Sequence, residues 1–527
     1  MQFKKVVILL MVLLNLSLED TTYAADTKKT RYGGTLHLGF YTKPTAINPV
    51  LTNQGISMLV MNLVFSRLVR TNSHGEIEPE LAESWDISQD KKIYTFFLKR
   101  NIRFHDGVEL TAEDVVFTYQ SIMTPDNASP YAANYSLVEN IEALGKYTLR
   151  IFLKEPQVSF LSELEREIMP KHLYIRKNDI FQSPSNYSPV GTGPFVFKKW
   201  YSDNSIVLTA NEDYFEGRPY LNGIVIKTYE DAEALWNDFM KQKIDVNLFM
   251  TPKDYLWTQQ DGSFNIFSNP TPYYYNITYN FRSEIVSDLL VRRAIAYGIN
   301  GKELIANAEQ GFGIEANGPF LKNSWAYNPN VKVYSYDPEK SIDFLKAAGW
   351  VPDDRGIFMK HGKNLEIKLL VDARNEKHQK IAMILRQQFS QIGIILKVIH
   401  FDDKSSFDSL GENADALLNF DSGGPDPNHV LKTFHSQQTA KNKRWVLNSL
   451  SGKIDKLIES GQTTDDKETK RKVYQDLHEL VYTNQLRCFL YFPYVLHAAN
   501  KNLKNIDLYL NENMPTYLLK EVYLQEN

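Results

Sequence analysis

Catalysis needs particular residue types at particular spacings, and this chain offers few of them. Its 11 histidines stand at His37, His74, His105, His172, His361, His378, His400, His429, His435, His478 and His497. None forms a metal-spaced H-x-x-x-H pair, and there are no partner cysteines to complete a zinc set. The single cysteine, Cys488, lies in the apolar run Cys488-Phe489-Leu490-Tyr491-Phe492, which suits a buried small hydrophobe better than a thiolate nucleophile. There is no G-x-S-x-G, no H-E-x-x-H and no Walker loop. Gly298-Ile299-Asn300-Gly301-Lys302 echoes a phosphate loop but continues into Glu303. Asp353-Asp354 and Asp465-Asp466 read as solvated loop charges. The residues therefore point away from an enzyme and towards binding. Tyr273, Tyr275 and Tyr279 alternate along one strand-like run and could stack on a ligand, although core packing is the commoner fate of such rings.

These side chains need elements to hold them. Ile93 to Leu98 is β-branched and aromatic, as a strand requires. Asp106-Gly107 makes a turn, and Thr111 with Asp114 three residues later forms a capping box before an apolar run. Further strands are expected at 33–39, 147–153, 195–197, 206–209, 224–228 and 273–281. Helices are expected at 56–68 and 291–299. Asp337-Pro338-Glu339 starts a helix that Gly349 stops. Residues 363–371, 379–392 and 394–401 read as a βαβ unit. A charged helix at 466–481 precedes Leu486 to Tyr494, apolar enough for a central strand. The interleaving predicts α/β or mixed α+β layers.

The 527 residues amount to about three domains' worth of chain. A net charge of −4 argues against nucleic acid and against a polybasic membrane surface. Lys4-Lys5, the apolar run Val6 to Leu18 and Thr22-Tyr23-Ala24 predict a signal peptide cleaved after Ala24. The run is too short to span a bilayer. With no cysteine in that region, a lipid-anchored lipoprotein is excluded, and a freely diffusing periplasmic protein is expected.

Five blocks carry a resemblance. The first runs through Leu81-Ala82-Glu83-Ser84-Trp85, Ile102-Arg103-Phe104-His105-Asp106-Gly107 and Leu110 to Phe117. The others are Val190-Gly191-Thr192-Gly193-Pro194 to Trp200, Val291 to Asn300, Tyr336-Asp337-Pro338 with Ala347-Ala348-Gly349-Trp350, and Asp421-Ser422-Gly423-Gly424-Pro425-Asp426-Pro427. Their order resembles the family 5 extracellular solute-binding proteins, the dipeptide, oligopeptide and nickel receptors of ABC importers. The resemblance implies a two-lobed periplasmic-binding-protein clamp with an extra subdomain on lobe I. Residues 26–270, including an inserted subdomain at about 60–185, would form lobe I. Residues 272–483 would form lobe II, and 484–527 would return to lobe I, with Pro270-Thr271-Pro272 at one crossing. It also implies capture of short peptides in an interlobe cleft by a monomer that hands them to ABC importer membrane subunits, with no cofactor.

A peptide receptor must hold the termini tightly and the side chains loosely. Charge-assisted bonds in a desolvated cleft do the first. By resemblance, Asp421, or failing it Asp426, would meet the ligand amine, although in some alignments the acid falls on Gly423. Arg374 would meet the carboxylate. Asn53 and Gln54 would reach the cleft from the loop after the first strand, and Tyr273, Tyr275 and Trp445 would wall it. The same fold could instead capture a nickel chelate or haem, in which case His429 and His435 would matter. A peptidase, or a sensor or chaperone-like use of the clamp, are the remaining alternatives.

Overall fold

The computed structural model describes residues 31–72, 76–157, 160–174, 180–411, 413–422, 427, 433–436, 450–464, 466–510 and 516–525. The expected signal peptide, Gly423, Asp426, His429 and Trp445 lie outside the described residues. The chain divides into two compact units. The first holds 31–156, 160–267 and 496–525, and the second holds 157 and 268–495. Residues 484–495, expected with the first lobe, belong to the second unit. The chain passes between units inside two strands, Phe264–Pro270 and Arg487–Asn500, just before the expected Pro270-Thr271-Pro272 crossing in the first case.

In the first unit, strand Thr35–Phe40 lies parallel to both Gly223–Thr228 and Val246–Asn247. Strands Ile206–Ala210 and Phe195–Trp200 extend the sheet antiparallel, and Ala498 and Ala499 close its other side. Leu36, Leu38, Val60, Leu63, Phe195, Ile224 and Ile226 are buried in its core. A second core fills a four-stranded antiparallel sheet in the order Ala82–Ile87, Ile93–Leu98, Thr148–Leu153, Val138–Gly145. Helix Ala112–Met123 packs on it. As expected, the Asp114 carboxylate accepts from the Thr111 N–H at 2.9 Å and from its hydroxyl at 3.0 Å.

The Gly-Thr-Gly-Pro block has a steric reason. A Cβ on Gly191 would stand 2.0 Å from the Val64 carbonyl oxygen, and one on Gly193 would stand 2.6 Å from that of Leu63. The Gly193 N–H donates to the Val64 carbonyl at 2.8 Å, and the Gly191 carbonyl accepts from the His105 N–H at 2.8 Å. Two sequence blocks are thereby pinned to the end of helix Gly55–Val64.

The second unit is built on the order Ile395–Phe401, Glu366–Asp372, Ala416–Ser422, Tyr273–Tyr279, Arg487–Asn500. The βαβ reading holds: Glu366–Asp372 and Ile395–Phe401 pair in parallel across helix Glu376–Gln391. Its expected start at 363 does not, because Lys363–Asn364 peels off to pair with Phe358–Lys360. Asp337 caps helix Pro338–Ala347 by accepting from the Lys340 N–H at 3.0 Å. Strand Ala416–Ser422 was not anticipated. It pairs antiparallel with all of Tyr273–Tyr279. The pleat sends Tyr275, Ile277 and Tyr279 into one core and Tyr274 into another, with Phe489 and Phe492.

Candidate functional site

In sheets with parallel strands, ligands favour the carboxyl ends of the strands. The first unit has a pocket of about 320 Å³ there, where Thr35–Phe40 gives way to Tyr41 and Thr42. Helix Gly55–Val64 forms one wall through Met58 and Asn62, and Phe249 and Thr516 line it as well. Gln54 is the N-cap of that helix and makes no side-chain cap bond. Among the described residues the first-turn N–H groups therefore gain no acceptor from the N-cap side chain and keep their attraction for carbonyl or carboxylate oxygens. Asn53 and Gln54 are exposed beside them.

Polar groups on the pocket wall are held from behind. Arg67 donates through Nη2 to the Asn62 Oδ1, and the Asn62 amide lies 3.5 Å from the Thr516 hydroxyl. Phe249 has φ +57°, a left-handed conformation rare for an aromatic residue. Its N–H donates to His497 Nδ1 at 3.2 Å, and its ring meets the His497 ring edge-on at 5.4 Å. Burial pushes the His497 imidazole down to about 4, so it is neutral at neutral pH and free to accept at Nδ1. Nothing in the local sequence announces this arrangement.

The second unit places Asp421 near the end of strand Ala416–Ser422, but as a member of an internal network. Its Oδ2 accepts from Arg487 Nη1 at 2.6 Å and from the Asn276 amide at 2.9 Å, and its Oδ1 accepts from the Asn419 amide at 2.9 Å. Arg487 is only 7% exposed and lies over the Phe434 ring, 4.5 Å from its centroid. The carboxylate expected to wait for a ligand amine thus already carries a buried cation. Arg487 was missed. A lone arginine leading an apolar strand is the available signal, because a buried cation needs a buried acid.

Arg374 is exposed and closes on its near neighbour Asp372, with Nε and Nη2 donating at 3.1 and 3.0 Å. It is a loop ion pair, and no ligand is needed to explain its position. Tyr273 is open to solvent and stacks on exposed Phe420 at 5.5 Å. Tyr275 is buried between Phe420, Tyr491 and His378, and Tyr279 is fully buried, so the alternating tyrosines are mostly core. Of these three tyrosines only Tyr273 is exposed.

Among the described residues no group of three His, Cys, Asp or Glu side chains could hold a metal ion. His435 approaches Asp455 and Glu459 at 3.9 and 3.4 Å. Cys488 is buried, and burial pushes its thiol up to about 12. Gly298 ends a helix and Asn300 caps the next, accepting from the Glu303 N–H, so the phosphate-loop echo is a helix junction.

The family described as "Bacterial extracellular solute-binding proteins, family 5 Middle" matches residues 76–443. The chain belongs to this family. Among curated family 5 relatives, the oligopeptide-binding protein AppA of Bacillus subtilis is 29% identical over 490 residues, covering 90% of this chain and 89% of AppA. Its structure with a nonapeptide superposes with a TM-score of 0.73 at 28% identity, covering 94% of this chain and 100% of that one. NikZ from Campylobacter jejuni, in complex with Ni(L-His), gives 0.74 at 29% identity, covering 93% and 99%. DppA from Helicobacter pylori, in complex with the peptide STSA, gives 0.74 at 25%, covering 95% and 100%. The family is one of extracellular binding proteins. Among the described residues no helix is long and apolar enough to cross a membrane.

Proposed function

We propose that this family 5 solute-binding protein captures short peptides and delivers them to an ABC importer. One observation carries the reading: the first-unit pocket combines apolar walls with the uncapped N-terminus of helix Gly55–Val64. A peptide supplies what such a surface takes, namely main-chain oxygens for the N–H groups and a side chain for the walls. The peptide complexes of AppA and DppA agree with it. Asn53, Gln54 and Tyr273 are the candidate ligand contacts, and Asp421 is engaged in its internal network with Arg487.

The NikZ likeness favours a second reading, capture of nickel. In this reading the ion would arrive inside a small chelator, as the histidine of the NikZ complex illustrates. The protein would work as a monomer, exported to the periplasm after cleavage behind Ala24 and without a lipid anchor. Amino-terminal sequencing of the exported protein checks that cleavage.

Calorimetric titration of unfolded and refolded, ligand-free protein tests the function. Binding of peptides that are recovered intact supports peptide capture. Binding of a nickel–histidine complex or haem with no peptide binding overturns it, and release of free amino acids reveals a peptidase.

A further inference from the structure

We infer that Phe249 is a specificity-determining contact of this protein, selecting a neutral, aromatic or bulky apolar ligand side chain in the first-unit pocket. The inference rests on the peptide reading above and goes further by naming what the pocket takes and which residue chooses it.

Three independent features converge on Phe249. The first is chemical. Among the described residues, the pocket of about 320 Å³ is lined by Gly, Phe, Tyr, Thr, Ile, Met, Leu and Asn, none of them charged. A cationic or anionic group entering there would shed water and meet no counter-charge on those residues. The volume is about twice that of an apolar cavity able to hold benzene.

The second feature is conformational. A bulky side chain at φ +57° stores backbone strain that the surrounding structure must hold in place. Here the restraint is identifiable: the Phe249 N–H donates to His497 Nδ1, and the ring sits against the imidazole edge. His497 is fully buried. A glycine would occupy this backbone without strain, so the phenyl group has a use beyond the turn itself.

The third feature is exposure. Although so constrained, Phe249 is 47% exposed and lines the pocket, next to Leu248, which is buried. A half-exposed aromatic face backed by the His497 ring is the kind of surface on which an aromatic side chain stacks or an aliphatic one packs.

The test uses the full mature chain, refolded free of ligand, and titrates it with tripeptides. Phe, Lys or Glu is placed in turn at each position of an alanine background. At one position, Phe in place of Ala should tighten binding about 10- to 100-fold, the range expected for burying a phenyl group. Lys or Glu there should weaken it. In Phe249→Gly, which keeps the backbone conformation, the Phe preference should collapse towards the Ala value, while Phe249→Tyr should retain it. Melting curves confirm that both variants fold.

An unchanged Phe preference in Phe249→Gly overturns the inference while leaving peptide capture in place, as does a native preference for Lys or Glu. If no peptide binds and a nickel–histidine complex does, peptide capture fails and the inference falls with it.

Discussion

Replacing Asp421 with alanine separates a structural acid from a ligand-binding one. The substitution leaves Arg487 buried at 7% exposure without its carboxylate and removes the acceptor of the Asn276 and Asn419 amides. Breaking a buried ion pair from one side costs about 3–5 kcal/mol. Asp421 itself is 19% exposed, so water can partly replace it, and the lower end, about 3 kcal/mol, is expected. For a unit of this size that lowers Tm by about 6–12 °C. The double variant Asp421→Asn with Arg487→Met removes both charges together and should recover to within about 1 kcal/mol of the native protein. Calorimetry alone mixes two units, so hydrogen exchange of strand Tyr273–Tyr279 should be followed alongside it. An Asp421→Ala protein that melts within about 2 °C of the native one, yet loses peptide affinity, would refute the internal role.

Other consequences are as direct. His478 accepts from the Asn328 N–H and lies 2.6 Å from the Asn317 carbonyl, and burial holds its imidazole down at about 4 against 6.5 when unfolded. As pH falls through that window the unfolded chain takes a proton that the fold refuses, so second-unit stability should drop by about 1.4 kcal/mol per pH unit. An NMR titration of His478 with a midpoint near 6.5 would contradict this. Gly191→Ala drives a Cβ into the Val64 carbonyl at 2.0 Å and should cost about 3 kcal/mol or block folding of the first unit, read as Tm or soluble yield. Arg374→Ala should leave both Tm and peptide affinity unchanged, because its pair with Asp372 is exposed. A large loss of affinity there would return Arg374 to the ligand.

Features written within a few residues of one another were legible in the sequence. The capping of helix Ala112–Met123 by Thr111 and Asp114, and of Pro338–Ala347 by Asp337, follows from hydrogen bonds between near neighbours. So does the alternation that made Tyr273–Tyr279 a strand. The family blocks were legible too, and the close approach of Gly191 and Gly193 to helix Gly55–Val64 explains why one of them needs glycine. What escaped is long-range. Asp421 and Arg487 stand 66 residues apart and meet only because strands Ala416–Ser422 and Arg487–Asn500 flank Tyr273–Tyr279. The same distance problem hid the hold of His497 on Phe249, 248 residues away. Exposure was the other blind spot, since three tyrosines on one strand face read alike until the fold buries two of them.

The most direct test of the account is native mass spectrometry of the protein purified from the cells that make it, with tandem mass spectrometry of what it releases. A ladder of short, intact peptides of mixed sequence, enriched at one position in aromatic or bulky apolar residues, is the predicted result. A single mass corresponding to a nickel chelate, haem or another non-peptide would contradict it.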